Sequence, residues 1–211
     1  MMCPFKPRWE RRKDARPQEL LDAALDHFVV RGFAATRLDD VARSAGVSKG
    51  TLYLYFCSKE ELFKAVVRES IVSLIGRTEG MIEQFTGESD ELFRLVMGAW
   101  WESMGATKLS ALPKLMMAEG GNFPELAQFY QEEVVDRGER LVANMLRRGI
   151  KRGEIIEMDL EIATKILIAP MIMMMMWKHA NGVCQVAEEK LPAHLNCYID
   201  LSLRAILVKP K

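Results

Sequence analysis

The chain has 211 residues, long enough to bury a sizeable core in one or two domains, and its 49% hydrophobic and 27% charged content is that of an ordinary soluble globular protein. No apolar stretch follows the start, so no signal peptide is expected, and the four cysteines (Cys3, Cys57, Cys184, Cys197) lack metal-ligand spacing and read as reduced cytosolic thiols. The formal net charge of zero hides an asymmetry: residues 1–59 hold 11 Lys/Arg against 7 Asp/Glu, a net +4, and the remainder carries −4, as suits one end that faces phosphates.

Residues 1–16 are basic, with Lys6, Arg8, Arg11, Arg12, Lys13 and Arg16 against Glu10 and Asp14, and Pro4 and Pro7 discourage regular structure. They read as a solvated tail, or as an arm that orders on DNA by neutralising phosphates. Pro17 suits a first helical turn. Leu21, Ala24, Phe28 and Val29 then recur at helical spacing until Gly32 ends the helix, and Thr36 is placed to cap the next one.

Residues 37–56, RLDDVARSAGVSKGTLYLYF, read as helix, tight turn, helix. Leu38, Val41 and Ala42 give the first helix an apolar face. Gly46 supplies the left-handed backbone of the turn, which side-chain-bearing residues resist. Ser48 caps the second helix, whose Val47, Leu52 and Phe56 face inward while Lys49, Thr51, Tyr53 and Tyr55 face out. A short helix with that outer face is what reading the DNA major groove requires.

The run GVSKGTLYLYF at 46–56, followed by SKEEL at 58–62, resembles the DNA-binding signature of the tetracycline-repressor (TetR) family. The flanks agree, and the resemblance covers residues 17–70. It implies DNA contacts from Lys49, Thr51, Tyr53 and Tyr55, close backbone approach at Gly50, and apolar contact from Leu54 with a thymine methyl. Ser48 stands at the start of that helix, Lys59 is implied to meet a phosphate, and Thr36 and Arg37 to meet phosphate at the start of the preceding helix.

Beyond it, Ser58 caps a long fourth helix with Leu62, Phe63, Val66, Val67, Ile71 and Leu74 inward, running toward Phe85. After the break at residues 87–89 come apolar helical stripes and no second basic reading helix. Residues 160–179 and 195–208 are apolar on most sides, and such helices are buried in a core or against a partner. The longest apolar run, residues 166–177, is too short to span a bilayer. The reading is all-α, with roughly nine helices: a tail at 1–16, a helix-turn-helix domain at 17–60, and a helical dimerisation and effector domain at 61–211.

Trp100, Trp101, Met104, Met116, Met117, Met145, Met174 and Trp177 are large, soft side chains on separate helices, the material of ordinary packing or of an adaptable apolar pocket. The last two helices are assigned to the dimer through Ile166, Pro170, Leu195, Tyr198, Ile199, Ser202 and Ile206. His27, His179 and His194 form no ligand pair, and no Gly-rich loop is placed to hold a phosphate. No metal or cofactor is therefore expected. The expectation is a cytoplasmic, non-enzymatic homodimeric regulator, a repressor that leaves double-stranded operator DNA when a small apolar effector binds, with no membrane partner. The competing expectation is an architectural DNA-binding protein without an effector.

Overall fold

The computed structural model describes residues 16–180 and 186–208. The predicted tail lies outside them, except that Arg16 begins the first helix. No β-strand forms among the described residues. One antiparallel bridge joins Ile155 to Leu207.

The N-terminal helices are α1 (Arg16–Ala35), α2 (Leu38–Ser44), α3 (Lys49–Tyr55) and α4 (Lys59–Val67). Leu20, Ala24 and Phe28 of α1 meet Val41, Ala42, Leu52, Leu62 and Phe63 in a closed core. The rings of Phe28, Phe33 and Phe63 lie 5.4 to 5.6 Å apart, two of the three contacts edge-on, an arrangement the aromatic quadrupole favours. Gly46, at φ 66, makes the α2–α3 turn. Ser48 and Ser58 cap α3 and α4 by accepting hydrogen bonds from the backbone of Thr51 and Glu61, as the sequence predicts.

A π-helical turn, Arg68–Val72, joins α4 to α5 (Ser73–Gln84) and makes one rod that leaves the N-terminal bundle. Then follow α6 (Ser89–Trp100), continued by a π turn at Trp101–Gly105, and α7 (Leu112–Glu119). Next come α8 (Pro124–Tyr130) and α9 (Asp136–Lys151), joined by a π turn at Gln131–Val135. The last are α10 (Leu160–Lys178) and α11 (Leu191–Ile206). Pro113 and Pro124 sit in the first turns of α7 and α8, where the missing N–H costs nothing.

In α10 the structure departs from the reading. The helix spans 19 residues, and its most apolar window has a mean hydropathy of 1.6, so by length and composition alone it is long and apolar enough to cross a membrane. It nevertheless packs against α7, α9 and α11. Only 28% of that window is buried, so the expected buried helix keeps an apolar face open, with Ile162, Ile166 and Met173 at 58%, 64% and 48% exposure.

Candidate functional site

The outer face of α3 is open. Tyr53, Leu54 and Tyr55 are 43%, 83% and 42% exposed, while Leu52 is fully buried and holds the helix on the bundle. Lys49 and Gly50 are exposed at its first turn. A Cβ at Gly50 would meet nothing closer than Ser48 Oγ at 3.8 Å, so the chain itself does not require glycine there. The Thr51 hydroxyl shares a 2.9 Å hydrogen bond with Ser48. Lys49 Nζ lies 2.8 Å from Asp39 of α2, and this carboxylate raises the lysine pKa by hydrogen bonding and by charge. Arg37 is exposed at the start of α2.

Two residues assigned to phosphate stand elsewhere. Thr36 is 2% exposed, and its hydroxyl lies 2.6 Å from the Gly32 carbonyl and 3.1 Å from that of His27. It neither caps α2, whose N-cap is Arg37, nor faces solvent. Lys59 Nζ donates to the carbonyls of Phe33 and Ala34, at 2.7 and 3.0 Å, and lies over the Phe33 ring. Both carbonyls follow the break in α1 at Gly32, and the ammonium is held by their lone pairs.

The α1 end is held from the other side as well. Gly32 leaves the helix at φ 81, ψ 169 and turns the next two N–H groups outward. Glu119 at the end of α7 accepts both, and the Phe33 ring lies edge-on to Phe123 at 4.7 Å. A Cβ at Gly32 would collide with Glu119. Lys108, just before α7, pairs with Asp26 of α1.

The same α7 walls a cavity of about 400 Å³, within the range of small-molecule sites. Its lining comes from the α4–α5 rod (Ile71, Leu74, Ile75, Thr78), α6 (Val96, Met97, Trp100), α7 (Pro113, Met116, Met117), the α8–α9 rod (Tyr130, Val134, Gly138, Glu139, Val142) and α10 (Ile168, Met171, Ile172), with Met104. Of the side chains assigned to a pocket, Trp100, Met104, Met116 and Met117 line it. Trp101 and Met145 are 6% and 1% exposed and belong to the solid core. Trp101, about 100° round the helix from Trp100, faces the core instead. Met174 and Trp177 line a different, shallow groove between α10 and α11. The contributions of α5, α8 and α9 were legible only as apolar stripes, and a stripe reads the same whether the space it faces is filled or hollow.

The α10–α11 groove also takes Ile166, Pro170, Tyr198, Ser202 and Ile206 of the residues assigned to the dimer. Tyr198 donates its hydroxyl to the Leu167 carbonyl at 2.5 Å, and burial pushes its pKa up to about 12. Leu195, Ile199 and Ile206 are 7%, 4% and 6% exposed and form the stripe by which α11 packs within its own chain. The open apolar positions on this side are Ile162, Ile166 and Met173 of α10 and Leu201 of α11, the last 60% exposed.

A helix-turn-helix with an open reading face, tied to a helical body that holds an apolar cavity, defines a DNA-binding regulator. The description "Bacterial regulatory proteins, tetR family" matches residues 20–66, and "Tetracyclin repressor-like, C-terminal domain" matches 85–189, most of the chain between them. Among curated proteins, the HTH-type transcriptional repressor KstR2 of Mycolicibacterium smegmatis is 29% identical over 140 residues, 66% of this chain and 67% of that one. The fatty acid metabolism regulator protein of Bacillus subtilis is 26% identical over 158 residues, covering 74% and 80%. Among solved structures, FadR from Bacillus subtilis in complex with stearoyl-CoA has a TM-score of 0.75 at 23% identity, covering 88% of this chain and 97% of that one. The ketosteroid regulator KstR2 of Mycobacterium tuberculosis has 0.70 at 20% identity, covering 93% and 97%, a likeness of fold. The chain belongs to the TetR family of transcriptional regulators.

Proposed function

We propose that this protein is a homodimeric repressor that leaves a near-palindromic operator when an apolar small molecule fills the cavity bounded by α5, α6, α7, α9 and α10. The observation that carries the reading is the double role of α7. It walls the cavity through Met116 and Met117, and its last residue, Glu119, holds the end of α1 in the DNA-binding head. A ligand that favours a displaced α7 would shift the population toward a head placed wrongly for its half-site. Relatives named as a repressor and as a fatty acid metabolism regulator support the reading.

In this reading residues 17–60 form the reading domain and 61–211 the effector and dimer domain. Lys49, Gly50, Thr51, Tyr53, Leu54 and Tyr55 meet DNA in the major groove, and Arg37 a phosphate. The exposed apolar face of α10 and α11 is covered by a second copy, since a monomer would leave it in water. The protein works in the cytoplasm and catalyses nothing. In support, among the described residues the cavity lining holds two ionisable side chains, Tyr130 and Glu139, and no nucleophile–base pair.

The test is selection of bound genomic fragments, followed by release with a panel of hydrophobic compounds. A few discrete short sites, released by some of the panel, are expected. Many dispersed sites with no release would make the protein architectural instead.

A further inference from the structure

We propose that the cavity selects an uncharged lipophile bearing one hydrogen-bond-accepting oxygen, held by the Tyr130 hydroxyl; this rests on the effector reading above. Tyr130 ends α8, is 8% exposed and lines the cavity. Burial raises its pKa strongly and no hydrogen bond offsets the effect, so the phenol stays protonated and its donor is unspent among the described residues. Two other polar side chains of the lining are engaged, while the Trp100 indole N–H is a further donor. The Thr78 hydroxyl donates to the Leu74 carbonyl within its own helix, and Gln131 donates to Asp136. Among the described residues no Lys, Arg or His lines the cavity, and the one carboxyl is that of Glu139.

This inventory sets the ligand's charge. A carboxylate placed here would lose its hydration, find no cation and face Glu139, so desolvation is uncompensated. An ammonium group would meet Glu139, but that side chain is only half-buried, and Lys165 of α10 is close enough to feel its charge. A ketone, ester or alcohol oxygen needs only a donor, and the unspent phenol supplies one. The rest of the molecule then contacts Met, Trp, Leu, Ile and Val side chains, which reward apolar area.

Calorimetry with four probes of one length tests the idea: 2-undecanone, undecane, undecanoate at pH 8 and undecylammonium. The undecanone is expected to bind at least about tenfold more tightly than undecanoate, a margin that an unpaired buried charge exceeds easily. Tyr130→Phe should weaken undecanone by about threefold to tenfold and leave undecane unchanged. The apo variant should melt no lower than the parent, because a hydroxyl without a partner adds nothing to the fold. Equal or tighter binding of undecanoate overturns the charge argument. Tighter binding of undecylammonium moves the anchor to Glu139. An equal loss for ketone and hydrocarbon in Tyr130→Phe, or a lower melting temperature of the apo variant, makes Tyr130 a packing residue. Binding of none of the four overturns the effector cavity itself, a result distinct from binding with the wrong head group.

Discussion

Glu119 Oε1 accepts the backbone N–H of Phe33 at 2.8 Å, across 86 residues of sequence, and Oε2 accepts that of Ala34 at 2.7 Å. The two bonds satisfy donors that Gly32 frees by breaking α1, and they fasten the head to the helix that walls the cavity. Glu119→Ala should cost about 1–3 kcal/mol of stability, because hydrogen bonds to a charged acceptor are lost and the Phe33 amide is partly buried. The Phe33 and Ala34 amides should exchange with solvent faster than in the parent. Unchanged exchange at both amides would remove the clamp from the mechanism. Gly32→Ala should be destabilising too, since φ 81 strains any residue with a Cβ and Glu119 occupies the space.

Lys49 is paired with Asp39 across the helix-turn-helix, and both groups are exposed. A lysine that reads DNA must exchange this partner for base or phosphate. Asp39→Asn should therefore raise DNA affinity, by up to about fivefold, the scale of an exposed ion pair. Titration of a labelled duplex at matched salt measures it. An affinity that falls would show that Asp39 positions Lys49 rather than competing for it.

The two faces of α11 should respond differently to charge. Leu201→Glu, and Ile166→Glu on α10, alter exposed positions and should yield folded monomers by sedimentation with the parent circular dichroism. Ile199→Glu places a carboxylate at a position 4% exposed and should cost on the order of 4 kcal/mol, unfolding the chain. Dimers that survive both surface changes would put the interface elsewhere.

His179 ends α10, where its Nε2 shares a 2.8 Å hydrogen bond with Ser110, and Lys114 donates to its carbonyl. Burial lowers its pKa below the ordinary 6.5, neighbouring Lys178 and Lys114 lower it further, and Glu188 opposes them. A lowered histidine pKa means the unfolded chain binds the proton more readily, so stability is full above about pH 6.5 and falls as pH drops below it. His179→Gln should flatten that decline in melting curves taken between pH 7.5 and 5. A decline of the same slope in the variant would assign it to other groups.

The reading helix was legible in sequence because its signals are local. A glycine that permits a left-handed turn, a serine that caps the next helix and an apolar triplet at helical spacing act within a dozen residues. The open face of α3 follows from those positions alone. The structure places Thr36 and Lys59 against backbone carbonyls, where the sequence reading sets them toward phosphate. Each stands where a terminal polar side chain could reach phosphate, but Thr36 turns back on the Gly32 carbonyl four residues before it, and Lys59 meets carbonyls 25 and 26 residues away that only the folded bundle brings within reach.

The C-terminal body shows the limit. Periodicity in the sequence determined that its helices are amphipathic or apolar, and hence that they pack. It could not determine which stripe closes on solid core, which walls a cavity and which waits for a second chain, because all three demand the same side chains. Met145 in the core, Met116 on the cavity and Met173 on the open face are equivalent by composition. What separates them is how the rods cross, and that depends on packing between segments far apart in sequence. The clamp between Glu119 and the end of α1 belongs to the same category. A lone glutamate at a helix end carries no local signal, and its role exists only once the tertiary fold sets two unpaired N–H groups in front of it.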